Sequence, residues 1–297
     1  MEIGIDTLTR KDIPRYIGLI RAGFATELTE LGTDLDRLAR ILRALLLWGG
    51  LPLWLVKRLT GHEAFALLAR KGGEPVGCLT VIGRKEPSLT GVYVRPEFRG
   101  NGISYRLIEE AISRLQKAGY KKVHASPLNK AGEHLIEKLG FTPYGRTTVY
   151  ERSLPVVPPP QHEVRVRRRL RGDTAGPEEW HGRQYKLRRI GRLFGIRVRE
   201  LTAVSPRGPA VCATLFTLRK ERVGEVHPLL LIPGEEEALI PIIGVGSSWF
   251  RRLGKEVIHL SITDKSEALA PVALRLGFKK KRDWIHFRLD LKKEAGR

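Results

Sequence analysis

The stretch Val92-Tyr93-Val94-Arg95-Pro96-Glu97-Phe98-Arg99-Gly100-Asn101-Gly102-Ile103-Ser104 joins an apolar strand to an amphipathic helix through a turn rich in arginine and glycine. Gly100 and Gly102 let the backbone come close to a ligand, because glycine has no side chain. The first N–H groups of the following helix have no acceptor within the helix, and such groups bind anions. The stretch therefore predicts a phosphate site. An ordinary strand-to-helix turn, with glycines for geometry alone, has the same pattern.

The two asparagines of the chain both lie in or shortly after this stretch. Asn101 is in the turn, and Asn129 ends the segment that follows the next strand. The succession Arg99-x-x-Gly102-x-Ser104, then Asn129, then Glu137-Lys138-Leu139-Gly140-Phe141 resembles the GNAT superfamily of acetyl-CoA-dependent N-acetyltransferases. The resemblance covers residues 1–152. It implies an α/β fold with a mixed, mostly antiparallel sheet flanked by helices.

The resemblance also implies where acetyl-CoA would bind. Backbone groups of Val92 and Val94 would pair with the pantetheine arm, and Asn129 would donate a hydrogen bond to it. Asparagine is also a good helix N-cap, and one residue can serve both purposes. The pyrophosphate would bind the N–H groups of the turn, which comprises Arg99, Gly100, Asn101, Gly102, Ile103 and Ser104. For the Arg99 side chain two roles are open, a charge on the phosphates or a contact within the turn.

The catalytic groups are less clear. The family often carries a tyrosine that protonates the leaving thiolate seven residues after the asparagine, and this position is Ile136. Tyr105 and Tyr144 could replace that acid, although packing roles suit both. His124 and Glu86 are candidates for the base that deprotonates the acceptor amine. We predict no metal site.

A proline-rich segment divides the chain. Four prolines between Pro155 and Pro160 favour a stiff extended linker. We predict an N-terminal domain at residues 1–152, a linker at 153–162 and a C-terminal domain at 163–297. The halves share an order of strands and helices, and Leu139-Gly140-Phe141 is repeated as Leu276-Gly277-Phe278. The chain thus reads as two tandem GNAT-like domains.

The second half differs where the phosphate turn should be. Opposite residues 99–104 it has Glu236-Glu237-Ala238-Leu239-Ile240-Pro241. Carboxylates suit the first turn of a helix, but they repel a pyrophosphate. We therefore predict a degenerate C-terminal copy without a cofactor site.

Charge and composition bear on partners and source. The net charge is +21, of which +8 falls in residues 1–154 and +13 in residues 155–297. The basic second half fits either a nucleic-acid or ribosome footprint or a solvated surface of a thermophilic protein. Five Asn and Gln residues and one Met point to a thermophilic source. Two distant cysteines predict no disulfide framework and a cytoplasmic location.

An uncharged stretch runs from Ala44 to Val56 and is flanked by basic residues. It is too short to span a bilayer. It is interpreted first as buried against the second domain, next as a hydrophobic acceptor wall, and last as a membrane contact.

Taken together, the residues and the resemblance predict an N-acetyltransferase that moves the acetyl group of acetyl-CoA to an amine by direct attack in a ternary complex. The acceptor could be a small molecule or a protein. The alternative is a non-catalytic tandem GNAT-fold protein that binds RNA, the ribosome or another acidic partner.

Overall fold

The computed structural model describes residues 3–25, 35–46, 63–156, 164–170, 196–218 and 221–291. These residues form two compact units. The first unit contains residues 3–25, 35–46, 63–145 and 284–291, and the second contains 146–156, 164–170, 196–218 and 221–283.

Within the described residues, strands and helices follow the predicted order except at residues 141–152. The strands are β1 (Ile3–Thr7), β2 (Glu63–Lys71), β3 (Glu74–Gly83), β4 (Ser88–Val94), β5 (Lys122–Ala125), β6 (Thr142–Ser153), β7 (Arg165–Arg168), β8 (Ile196–Ser205), β9 (Gly208–Leu218), β10 (Val223–Leu231), β11 (Val257–Thr263) and β12 (Lys279–Asp290). The helices are α1 (Ile13–Gly23), α2 (Leu35–Leu45), α3 (Ile103–Lys117), α4 (Lys130–Lys138), α5 (Leu239–Arg252) and α6 (Ala270–Arg275).

The first unit is a mixed sheet with helices on both faces. Its strand order is β1-β2-β3-β4-β5-β12, and all neighbours are antiparallel except β4 and β5. Helix α3 presents Ile103, Leu107, Ala111 and Leu115, spaced by four residues, to one face, because residues four apart share one side of a helix. Together with Ile136 of α4 they form a core with that face of the sheet. Helices α1 and α2 pack on the other face.

The second unit repeats this plan. Its strand order is β6-β11-β10-β9-β8-β7, and β10 and β11 are its parallel pair. Helix α5 buries Leu239, Ile242, Ile243 and Phe250 in the core of this unit. Both units are thus mixed, mostly antiparallel sheets flanked by helices, as the sequence predicts.

The two units exchange their last strands. Residues 146–153 of β6, which end the first half of the sequence, pair with β11 in the second unit. Residues 287–290 of β12, near the end of the sequence, pair with β5 in the first unit. Phe287 lies in the core of the first unit with 1% of its surface exposed. A division at residues 152 and 163 assigns β6 to the N-terminal domain and β12 to the C-terminal domain. In the structure, most of β6 belongs to the second unit and the end of β12 belongs to the first.

Several local predictions differ from the structure or lie outside it. Residues 141–152, predicted as a strand pair, form the single strand β6. The helix predicted at 235–252 begins with a 3₁₀ turn (Glu236–Ala238). The helix predicted at 177–193, most of the uncharged stretch 44–56 and most of the linker lie outside the described residues.

Candidate functional site

The turn between β4 and α3 is open and has free backbone donors. Gly100 and Gly102 have φ angles of +79° and +68°, which favour glycine, and a Cβ atom on either would meet nothing within 4 Å. Gly102 is the N-cap of α3. Within the described residues, no acceptor is found for the N–H groups of Gly100, Asn101, Gly102, Ile103 and Ser104. The turn therefore has both the space and the donors that an anion needs.

Two side chains of the turn brace it from within. The Asn101 amide donates to the carbonyl oxygens of Phe98 and Arg99 at 3.2 and 3.1 Å. The Arg99 Nε donates to the Val94 carbonyl at 3.1 Å. Of the two roles considered for Arg99, the contact within the turn is thus present. The backbone of Asn101 keeps its N–H available, whereas its side chain holds the turn in shape.

Strand β4 separates from β5 at a β-bulge. Cys78 of β3 pairs with Tyr93, but Thr80 pairs with Thr90, so two residues of β4 oppose one of β3. One of the two is Gly91, whose φ is +59°. A bulge bends a strand and often ends its pairing. Accordingly β5 pairs with β4 only at Ser88 and Leu89, within the described residues.

The open edge of β4 beyond the bulge carries unpaired backbone groups. The Arg95 N–H donates to Val76 of β3, so the polar groups of Val94 point to the opposite edge of β4 by the alternation of an antiparallel ladder. The Val94 carbonyl accepts a hydrogen bond from the Arg99 side chain, so the Val94 N–H is the group that remains for a ligand. Val92 lies within the same open stretch and is half-buried.

Asn129 caps helix α4. Its Oδ1 accepts a hydrogen bond from the Gly132 N–H at 2.8 Å, so the predicted N-cap is confirmed. The amide NH₂ of Asn129 has no acceptor among the described residues, and it lies on an exposed side chain. Ile136 lies about two turns after Asn129 on the same helix. It is only 4% exposed and belongs to the core. A side chain at that position packs the core and does not face a ligand.

His124 and Glu86 form a hydrogen-bonded pair at the start of the short paired stretch of β4 and β5, where Ser88 is the register partner of His124. Glu86 Oε2 lies 2.7 Å from His124 Nε2, and the Lys122 ammonium lies 3.5 Å from the other oxygen. Burial raises the pKa of Glu86, but the hydrogen bond and charge of His124 and the charge of Lys122 outweigh it and lower the pKa overall. The structure thus brings both predicted base candidates together.

Comparison with known proteins finds a family match within the N-terminal half of the chain. Residues 35–141 match the model of the Acetyltransferase (GNAT) family. Because of this similarity, the first unit is called the GNAT domain below.

The fold of the whole chain is that of tandem GNAT proteins. A tandem GNAT protein from the clavulanic acid biosynthesis pathway aligns over 98% of this chain and 99% of its own, with 14% identity and a TM-score of 0.67. A GCN5-related N-acetyltransferase from Sphaerobacter thermophilus aligns over 98% and 96%, with 19% identity and a TM-score of 0.64. A glucosamine N-acetyltransferase region of a fungal multi-domain β-N-acetylglucosaminidase aligns over 97% of this chain and 38% of its own, with 12% identity and a TM-score of 0.69. No curated protein matches in sequence.

The two tyrosines of the GNAT domain that could replace the family's acid differ in position. Tyr105 on α3 is hydrogen-bonded to Glu109, and this bond with the Glu109 charge raises its pKa. Tyr144 on β6 lies edge-on to the His124 ring, with 5.0 Å between ring centroids. Burial, followed by the charge of Glu86, raises the pKa of Tyr144. Only Tyr144 therefore lies beside the His124–Glu86 pair.

The exchanged strand β12 adds polar residues to the GNAT domain that sequence reasoning did not identify. Arg288 lies directly opposite His124 in the ladder between β12 and β5. His286 Nδ1 lies 2.8 Å from Ser126 Oγ, and the Tyr144 ring is 6.1 Å from the His286 ring. The alternation of Ile285, Phe287 and Leu289 with polar residues could have indicated this face. It could not indicate which unit the strand joins.

In the second unit, the positions that correspond to the phosphate turn and to His124 carry side chains that bond to groups of the same unit. The Gly234 N–H donates to the Glu236 carboxylate at 3.0 Å, and Glu237 pairs with Arg275. His259 stands where the GNAT domain has His124, but it is 3% exposed and lies 2.7 Å from the Glu151 carboxylate. Burial lowers the pKa of His259.

Other chemistries find little support in the part of the chain that the structure describes. Both cysteines are buried and neither forms a disulfide. Burial raises the pKa of Cys78 to about 12, which disfavours the thiolate that a nucleophile requires. Those residues contain no group of three or more His, Cys, Asp or Glu placed to hold a metal ion. None of their helices has the length and apolar character that a membrane crossing requires.

Proposed function

We propose that the N-terminal unit is an acetyl-CoA-dependent N-acetyltransferase of the cytoplasm, and that the C-terminal unit has no cofactor site. The observation that carries the proposal is the open turn at Gly100 and Gly102, which follows a strand separated from its parallel neighbour. When bound, acetyl-CoA supplies an acetyl thioester that a neutral amine attacks directly in a ternary complex.

The residues that would hold this cofactor fit it in three places. The N–H groups of Gly100, Asn101, Gly102, Ile103 and Ser104 suit the pyrophosphate, since free N–H groups at a helix N-terminus favour negative charge. The Val94 N–H and the open edge at Val92 suit an amide-bearing arm, and the Asn129 amide can donate to it. The Arg99 side chain adds positive charge beside the turn.

His124 is proposed as the general base, with Glu86 as the residue that positions it. A carboxylate without a proton can only accept hydrogen bonds, so the His124 Nε2 carries the proton that it shares with Glu86. When the ring carries no second proton, its lone pair is on Nδ1, which can take a proton from an ammonium group. Carboxylate–imidazole pairs hold the tautomer in this way in other enzymes.

Calorimetry of acetyl-CoA binding tests the cofactor site. One site per chain is expected, and Gly102→Glu should abolish binding because it places a carboxylate beside the pyrophosphate. Gly234→Glu, at the corresponding turn of the second unit, is the matched control and should leave affinity unchanged. Two sites per chain, or normal affinity in Gly102→Glu, would contradict the assignment.

Release of free thiol in the presence of a panel of amines tests the activity. His124→Ala should reduce turnover by 10²–10⁴-fold, the range typical of a general base, with acetyl-CoA affinity retained. Full turnover in His124→Ala would show that the base is elsewhere or is not needed.

A further inference from the structure

Two buried nitrogen atoms on facing residues of the first unit lack hydrogen-bond partners. They are His124 Nδ1 and Arg288 Nε, and neither has a partner among the described residues. Most buried polar atoms in native proteins are hydrogen-bonded, so an exception calls for a bound molecule or an ordered water. Because Arg288 and His124 are register partners in β12 and β5, the two atoms belong to one place on the sheet.

The hydrogen-bonding character of the two nitrogens differs. As argued above, the bond to Glu86 leaves His124 Nδ1 as an acceptor. Arginine cannot lose its proton in proteins, so Arg288 Nε is always a donor. A molecule that satisfies both atoms therefore offers an N–H group to His124 and an acceptor oxygen to Arg288.

The surroundings of Arg288 leave its charge available. The guanidinium carbon lies 5.9 Å from the centroid of the Tyr144 ring, which supports one face of the group. Arg288 forms an ion pair with Asp290, whose Oδ1 lies 3.6 Å from Nε, beyond hydrogen-bond distance, and water screens this pair because the Asp290 side chain is 68% exposed. The Glu86 carboxylate is engaged by His124 and Lys122. An arriving anion thus meets a guanidinium that no internal acid has neutralised by a hydrogen bond.

We infer that Arg288 binds a carboxylate of the acceptor, and that the acceptor is an amine that carries a carboxylate group. The inference rests on the proposed function for the role of the amine. The planar guanidinium fork matches a carboxylate better than a lysine would, because two N–H groups can meet two oxygens. His286, held by Ser126, lies near the same Tyr144 ring that supports Arg288.

Matched acceptors that differ only in the carboxylate test the inference by activity. The pairs are glycine and methylamine, β-alanine and ethylamine, 4-aminobutyrate and propylamine, and phenylalanine and phenethylamine. The carboxylate member of at least one pair should have a kcat/KM at least about tenfold higher, because a site built for a polar group rejects the analogue that lacks it. Arg288→Gln should remove this preference by raising KM for the carboxylate member. Arg222→Gln, which removes an exposed arginine of the second unit, should keep it.

An NMR measurement tests the contact without any transfer. In protein labelled with ¹⁵N-arginine, the Nε–H cross-peak that disappears in Arg288→Gln belongs to Arg288. It should move on addition of a carboxylate member and stay in place with its alkylamine. A peak that moves with neither, or a preference that survives in Arg288→Gln, overturns the inference. If acetyl-CoA fails to bind, the proposed function falls, and the cross-peak alone decides whether Arg288 binds carboxylates.

Discussion

Ser126 and His286 share a hydrogen bond of 2.8 Å although 160 residues separate them in the chain. Ser126 follows β5, and His286 lies on the part of β12 that joins the first unit. The polar face around His124 is therefore built from both halves of the sequence. A protein cut after the first half lacks His286, Arg288 and the partner strand of β5.

Phe287 should be needed for the stability of the first unit. It is 1% exposed in the core of that unit, and Phe287→Ala should destabilise it by about 3–5 kcal/mol through lost burial and a cavity. Hydrogen exchange should accelerate at the β5 amides. Phe278→Ala, in the core of the second unit, is the matched control and should accelerate exchange in β11 instead. Unchanged β5 protection in Phe287→Ala would contradict the strand exchange.

Gly91 should be required for its backbone conformation and not for space. A Cβ atom there would make ordinary contacts, the nearest at 3.5 Å to Ile20 and Thr80, but the φ of +59° is strained for other residues. Gly91→Val should cost about 1–2 kcal/mol, and Gly91→Asn less, because Asn tolerates this conformation. Urea unfolding measures both. Equal losses would show that the bulge is not what constrains the position.

Ile136→Tyr should destabilise the protein and not restore an acid. Ile136 is a core residue, and a larger side chain in a packed core costs about 1–3 kcal/mol. Thermal unfolding of the variant gives the cost, and a thiol-release assay gives the rate. A variant that is as stable as the parent and faster would show that a pocket for the tyrosine exists.

Tyr144→Phe should separate a chemical role from a packing role. Loss of the hydroxyl keeps the ring against His124, so we expect less than about a tenfold fall in kcat, below the usual range for a general acid. Tyr105→Phe, whose tyrosine bonds Glu109, is the control and should behave alike. A larger loss in Tyr144→Phe alone, with acetyl-CoA affinity intact, would make Tyr144 the acid.

Glu221 should make the second unit less stable as the pH rises. Burial, followed by the charge of Glu225, raises the pKa of Glu221 from 4.5 to about 7. Between these values the folded state binds more protons than the unfolded state, so stability is highest below 4.5 and falls until the folded pKa is passed.

The variant Glu221→Gln cannot ionise and should lose this dependence. Relative to wild type it should gain up to about 3 kcal/mol near pH 8 and little near pH 5. Urea unfolding at both pH values measures the difference. Glu256→Gln, at an exposed carboxylate paired with Arg222, should show no such gain. A Glu221→Gln gain that is the same at both pH values would show that ionisation is not the cause.

The sequence was informative where local chemistry decides the structure. The glycine-rich turn before α3, the Asn129 cap and the amphipathic pattern of α3 depend on a few neighbouring residues, and the sequence predicted each at its place. The positive φ angles of the glycines came from the structure. The sequence did not predict the exchange of β6 and β12, because both strands alternate apolar and polar residues and either could therefore pair with either sheet. Arg288 and His286 were missed for the same reason. Their partners His124 and Ser126 are fixed by tertiary pairing, which a local pattern does not contain.

The exchanged strand also sets the order in which the molecule can be completed during synthesis. A ribosome releases residues 3–145 long before it makes residues 284–291, so β5 waits without its neighbour while the whole second unit is translated. The polar face at His124 therefore forms late, and a prematurely terminated chain cannot present it.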